Sequence, residues 1–206
     1  MISIAIQAGG SSSRMGMDKG QMLFNGQPLA LRLLQRFSTI SDDVFLISND
    51  PEGYARLQIP ICADKQPGQG ALGGLYTALY YAKQPLVGVI ACDMPFANVD
   101  LLQRMGQIAL DEQADVVIPR ANGQYEPFHA VYRLQPCLAF IDAALAAGEK
   151  RMISWFGRAV VREVSPEEIR QFDPYGICFT NVNTQAEFGI AERLEQSLLK
   201  QGGKPL

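Results

Sequence analysis

Three features of the sequence predict an α/β fold, built as a mostly parallel sheet with helices on both faces. Short apolar runs alternate with helix-patterned segments as far as residue 119, the order that right-handed strand–helix–strand units produce. A glycine-rich stretch, QAGGSSSRMGMDK (7–19), directly follows the first apolar run. The run LVGVIAC (86–92) is the most apolar in the chain and reads as a central strand covered on both sides.

Residues 2–6 (ISIAI) are the first buried strand. Pro28 opens a helix, sitting in its first turn, with Leu29, Leu33 and Phe37 at four-residue spacing. Residues 44–47 (VFLI) are the second strand, followed by a turn. Residues 57–62 form a third, held to an edge by Pro60. Residues 70–82 pass from a glycine-rich loop into a helix. Residues 100–113 are amphipathic, and 115–119 and 127–132 read as strands. Then come a helix over 134–148 ending at Gly148, a strand over 159–164 and a helix over 184–200. Thr184 and Glu187 have capping-box spacing at the start of that helix. Without an internal repeat or linker, one domain spanning 1–200 is expected, with 201–206 a frayed tail.

Composition narrows the function. The chain has 206 residues, 48% hydrophobic and 19% charged, with a net charge of −3. That balance disfavours a broad nucleic-acid-binding surface. The four cysteines, Cys62, Cys92, Cys137 and Cys178, form no CxxC pair, which speaks against structural zinc and fits reduced thiols in the cytoplasm. No apolar run approaches the ~18 residues of a membrane span, and the start of the chain lacks a signal-peptide pattern. The one histidine, His129, lies in a half-buried strand pattern and reads as a core residue.

The loop after the first strand falls at the carboxyl edge of the sheet, where open α/β sheets hold ligands. Its glycines let backbone N–H groups approach an anion, and Arg14 and Lys19 add formal charge suited to a polyphosphate. A tight turn alone would need the glycines but neither cation. The loop is neither a P-loop nor a dinucleotide fingerprint: five residues separate Gly10 from Gly16, and Met17 follows. Asp93, in ACDMPF (91–96), ends the central strand at the same edge, where a carboxylate can hold Mg²⁺ or cap the next segment. The glycines of 68–74 set a helix start against either a phosphate or the sheet. Asp64 can accept N–H groups from a base, bind metal or be an ordinary surface acid. Asn181 and Asn183, two residues apart, either reach a ligand together or serve as caps. Lys150 and Arg151 form a basic turn that an acidic substrate can use.

These motifs, in order, resemble the molybdenum cofactor guanylyltransferases, the MobA-like nucleotidyltransferases. QAGGSSSRMGMDK is similar to that family's LAGGxSxRMGxDK signature. The resemblance continues through FNGQPL (24–29), GALGGLYTAL (70–79), ACDMPF, EPFHAVYR (126–133), AALAAGEKRM (143–152) and FTNVNT (179–184). It implies a Rossmann-like three-layer sandwich of the nucleotide-diphospho-sugar transferase type. The implied activity is Mg²⁺-dependent transfer of GMP from GTP to the phosphate of molybdopterin, releasing pyrophosphate. It assigns Gln7, Ala8, Gly9, Gly10, Lys19, Ser48, Asp64 and Asp93 to the nucleotide, and Asn181 and Asn183 to the acceptor. Arg14, Lys19 and Asp93 become the catalytic group, with Asp93 the metal ligand. Residues 1–119 become the nucleotide half and 120–200 the acceptor half. Two positions depart from the pattern: Gln7 stands where the signature has Leu, and Ser48 or Asn49 takes the place of an Asn after the second strand. The implied partners are GTP, molybdopterin and, transiently, other molybdenum-cofactor enzymes. A CTP-using or sugar-phosphate nucleotidyltransferase, or a non-catalytic nucleotide-binding protein, would share much of the pattern.

Overall fold

The computed structural model describes residues 1–8 and 19–200. Gly9, Gly10 and Arg14 of the signature loop, and the expected tail 201–206, lie outside the described residues. The chain begins with β1 (Ile2–Gln7), then a 3-10 turn at Lys19–Gln21, a small hairpin of β2 (Leu23–Phe24) and β3 (Gln27–Pro28), and α1 (Leu29–Phe37). Next come β4 (Val44–Ile47), α2 (Pro51–Tyr54), β5 (Ile61–Cys62), α3 (Gly70–Tyr81), β6 (Leu86–Ala91) and α4 (Val99–Asp111). The second half holds β7 (Val116–Ala121), β8 (Gln124–Tyr125), β9 (His129–Arg133), α5 (Leu134–Ala146), β10 (Val161–Val164), α6 (Pro166–Arg170) and α7 (Gln185–Lys200).

The main sheet runs β10–β7–β9–β6–β1–β4–β5, with β8 paired to β7. β1 lies between β6 and β4 and is parallel to both. β9 is antiparallel to β6 and β7. The reversal has a local cause. Asn122 and Gly123 both adopt left-handed backbone (φ 50° and 78°), so the chain leaving β7 folds straight back through β8 instead of crossing over. The β2–β3 hairpin turns the same way at Asn25–Gly26 (φ 49° and 82°).

Both faces of the sheet are covered. On one, Ile4 and Ile6 of β1 pack with Leu29, Leu33 and Phe37 of α1 and with Leu101, Met105 and Ile108 of α4. On the other, Ala5, Val87 and Val89 pack with Leu72, Leu75 and Ala78 of α3 and with Cys137, Ile141 and Trp155. The period-2 alternation of β1 therefore divides its side chains between two apolar layers, as a three-layer sandwich requires.

Several expectations shift on the structure. Pro28 ends β3 and is the N-cap of α1, not part of its first turn (φ −54°, ψ 131°). Of the expected strand 57–62 only Ile61–Cys62 pairs, at the end of the strand order, because residues 55–57 wind into a 3-10 turn. The glycines at 70, 73 and 74 lie within α3 rather than in a loop before it. α7 begins one residue after Thr184. The Thr184 Oγ1 accepts from Glu187 N–H at 3.2 Å, and the Glu187 carboxylate accepts from Thr184 N–H at 2.9 Å, completing the capping box. α7 is held to the first half of the chain by Glu195, which is 3% exposed and pairs with Arg32. The ring of Phe188 also meets Phe24 at 6.4 Å.

Candidate active site

Three segments distant in sequence meet just beyond the carboxyl end of β6. The Met94 N–H bonds the Ala91 carbonyl at 3.3 Å, closing a turn that carries Asp93 past the strand. Lys19 opens the 3-10 turn that follows the signature loop. Its position is set by Gly20, where a Cβ would fall 2.3 Å from the Tyr54 hydroxyl and 2.8 Å from Cys92 Sγ. Only glycine lets the chain lie this close to the neighbour of Asp93. The third segment, residues 181–184, precedes α7. Its Val182 is buried, and the Val182 N–H bonds the Asp93 carbonyl at 2.9 Å. Asn181 and Asn183 flank Val182 and are both exposed.

Lys19 joins these pieces. Its Nζ donates to Asp93 Oδ2 at 3.0 Å and also to Asn183 Oδ1. The Lys19 and Asp93 side chains are 17% and 21% exposed. That is enough shelter to weaken solvent screening, and enough opening for a ligand to arrive. The structure thus brings Lys19, Asp93 and Asn183 into one cluster, with Asn181 beside it. Thr184 does the capping, which leaves the Asn183 side chain to Lys19.

The other residues singled out from the sequence are placed differently. Ala8 is buried, and its N–H bonds the Ile47 carbonyl at 2.9 Å. Ser48 is 2% exposed, with its hydroxyl accepting from Asp50 N–H at 3.1 Å. Asn49 is exposed, and its Oδ1 accepts from Asp64 N–H at 3.1 Å. Asp64 Oδ1 accepts from the Thr77 hydroxyl at 2.7 Å and from Gln66 N–H at 2.9 Å. It therefore fastens the exit of β5 to α3. A Cβ on Gly73 would lie 2.7 Å from the Gln66 carbonyl, so this glycine serves close packing. Lys150 and Arg151 are exposed, and the Lys150 carbonyl would lie 4.0 Å from a Cβ on Gly70. The basic turn therefore sits at the start of α3. Gln7 ends β1 with its carboxamide against Gly74. Two further contributors, Gly20 and Val182, lie outside the sequence expectations. Gly20 has a legible signal, a glycine directly after the signature's last residue. The backbone latch of Val182 has none.

His129 is a core residue, as expected. It is fully buried, its Nε2 accepts from Asn98 N–H at 2.9 Å, and its ring meets Phe179 edge-on at 5.4 Å. Burial lowers its pKa to about 4. Because the folded value lies below the unfolded one, protons favour the unfolded chain as pH falls from 6.5 toward 4. This contribution removes about 2 kcal/mol of stability between pH 6.5 and pH 5. Urea unfolding at the two pH values measures it, and the difference should shrink by that amount in His129→Gln.

Among the described residues no three His, Cys, Asp or Glu side chains converge as a metal-binding group. In the cluster of Lys19, Asp93 and Asn183, Asp93 offers the carboxylate. That suits Mg²⁺, which commonly takes one or two carboxylates and fills its other positions with water and substrate phosphates. With the one histidine locked in the core, a Ser–His–Asp site is excluded.

An ammonium, a carboxylate and an amide are thus gathered past the strand ends of an α/β sheet, the edge at which open α/β sheets hold their ligands. Comparison with known proteins narrows this further. Residues 4–163 match the family described as MobA-like NTP transferase domain. The chain is 33% identical over 190 residues to a probable molybdenum cofactor guanylyltransferase of Peptoclostridium acidaminophilum, covering 90% of this chain and 86% of that one. It is 37% identical over 177 residues to a molybdenum cofactor guanylyltransferase of Burkholderia cenocepacia, covering 80% and 86%. Among solved structures, molybdopterin-guanine dinucleotide biosynthesis protein A of Archaeoglobus fulgidus superposes with a TM-score of 0.81 at 24% identity, covering 96% of this chain and 100% of that one. The 2-C-methyl-D-erythritol 4-phosphate cytidylyltransferase of Thermus thermophilus gives 0.66 at 16% identity, covering 94% and 98%. These two likenesses bear on fold alone, and they match the three-layer sandwich expected from the sequence. The chain belongs to the MobA-like NTP transferase family.

Proposed function

We propose that this protein transfers GMP from GTP to the terminal phosphate of molybdopterin, releasing pyrophosphate with the help of Mg²⁺. Family membership and the guanylyltransferase names of relatives at 30% identity or more support the activity. The observation that carries the mechanism is the Lys19 ammonium, which contacts both Asp93 and Asn183.

An acceptor phosphate oxygen attacks the α-phosphorus. A new P–O bond forms, the bond from the α-phosphorus to the bridging oxygen breaks, and pyrophosphate leaves. No covalent enzyme intermediate is needed, so the protein's contribution is orientation and charge neutralisation. Asp93 would hold Mg²⁺, which would supply positive charge against the phosphate oxygens. Lys19, paired to Asp93 in the free protein, would turn its charge to the triphosphate. Asn183, tied to Lys19, and Asn181 beside it would face the acceptor, with Lys150 and Arg151 as a further basic contact. Gly9, Gly10 and Arg14 are assigned to the phosphates on the signature's resemblance. Ser48 and Asp64 would act on the nucleotide by holding the β4–β5–α3 wall. In this reading residues 1–119 form the nucleotide half and 120–200 the acceptor half of one domain. The cytoplasm is the proposed setting, supported by four cysteines that stand as thiols. No helix of the described residues is long and apolar enough to cross a membrane.

Pyrophosphate release measured with molybdopterin, Mg²⁺ and each of the four nucleoside triphosphates tests the donor. Release with GTP alone is expected. Equal or faster release with CTP would overturn the guanylyl assignment in favour of cytidylyl transfer.

A further inference from the structure

Gln7 closes β1 where the strand order diverges, with β4 and β5 on one side and β6 on the other. It is in register with Ile47 of β4 and Ala91 of β6, two residues short of Asp93. Its carbonyl is occupied by the Cys92 N–H at 2.9 Å. Its side chain lies on the α3 face, where a Cβ on Gly74 would fall 2.8 Å from Gln7 Oε1. The carboxamide thus fills the space a side chain at 74 would take. Its Nε2 is shut away from water and has no hydrogen-bond partner among the described residues. Both Gln7 and Gly74 are only partly buried, the one at the carboxyl end of β1 and the other on α3. An unmade amide donor inside a protein is destabilising. Leucine, which the resembled signature has at this position, would fill the same volume without that penalty.

We infer that the Gln7 carboxamide reads the base of the bound nucleotide, donating through Nε2 to the O6 of guanine. This rests on the guanylyl reading above. With the phosphates placed at Lys19 and Asp93 past β6, the base would lie along the strand ends toward Gln7 and α3. Guanine presents O6 as an acceptor. The last torsion of a glutamine side chain is soft, and Gly74 offers no Cβ to obstruct its turning toward the base. A buried donor that gains its partner only from the ligand makes binding discriminate against any base lacking that acceptor.

The test is a double comparison of wild type and Gln7→Leu, with binding of GTP and of 6-thio-GTP measured in Mg²⁺. 6-Thio-GTP keeps every group of GTP except the strong O6 acceptor. Wild type should bind GTP about tenfold tighter than 6-thio-GTP, a difference of about 1.4 kcal/mol. Gln7→Leu should bind GTP about tenfold more weakly than wild type and bind both nucleotides equally within about twofold. Inosine triphosphate, which lacks only the 2-amino group, should lose the same factor in both proteins. Without nucleotide, Gln7→Leu should melt at or above the wild-type temperature, because the unmade donor is gone. An unchanged GTP to 6-thio-GTP ratio would overturn the role of Gln7 while leaving the guanylyl reading intact. A variant melting below wild type would overturn the premise that the carboxamide is unsatisfied. Failure of wild type to bind GTP would overturn the guanylyl reading and this inference with it.

Discussion

Asp93→Asn is expected to reduce guanylyl transfer by roughly a thousandfold or more, the scale on which losing a charge-stabilising group acts at a reacting phosphate. The substitution keeps an amide oxygen where Asp93 Oδ2 accepts from Lys19, so the local hydrogen bond can persist. What disappears is the negative charge proposed to hold Mg²⁺. The fold should hold. The side chain lies on a turn, the Asp93 carbonyl keeps its bond to Val182 N–H, and a partly exposed ion pair contributes about 1 kcal/mol or less. Pyrophosphate release together with a thermal melt separates the two effects. Near-normal turnover would remove Asp93 from the metal role, and a collapsed melt would make it a structural residue.

Lys19→Met should be nearly as damaging, by roughly a hundredfold to a thousandfold in kcat/KM. Methionine retains much of the apolar stem and loses the ammonium that contacts Asp93 and Asn183. Two partners make this a stringent position. Lys19→Arg should rescue poorly, because a planar guanidinium cannot occupy the point where one ammonium reaches both a carboxylate and an amide oxygen. KM for GTP and the acceptor should both rise, since the ammonium contacts both Asp93 and Asn183, the residues proposed for the nucleotide and acceptor sides. Steady-state kinetics with each substrate varied in turn checks this. A rise in KM for GTP alone would detach Asn183 from the mechanism.

The legibility of this structure followed the range of the interactions. β4 was read to the residue because four consecutive buried residues leave little choice of element. The capping box at Thr184 and Glu187 was read because its two hydrogen bonds span three residues. The two Asn-Gly turns at 25–26 and 122–123 carry a recognised hairpin signal, and through them the chain forms the β2–β3 hairpin and the antiparallel course of β9, neither of which is among the expectations above. Strand direction could not come from β9 itself, because a buried apolar run has the same pattern either way. The short α6 is likewise absent from those expectations, although Ser165 and Glu168 form a capping box there with Pro166 at the first helical position. In the site, Lys19 and Asp93 were found through motif and strand-end position. Their direct contact spans 74 residues, and that of Lys19 with Asn183 spans 164, with no local pattern announcing either. Asp64 shows the opposite case. The same carboxylate that can bind a ligand also ties β5 to α3 through Thr77, and sequence spacing does not separate the two roles.

The most direct test of the account is product identification. The protein incubated with GTP, Mg²⁺ and molybdopterin should yield molybdopterin guanine dinucleotide and pyrophosphate in equal amounts, detected by mass spectrometry and a coupled pyrophosphate assay. GTP binding with neither product formed, acceptor present, would contradict the account and identify a nucleotide-binding protein that keeps the fold without the transfer.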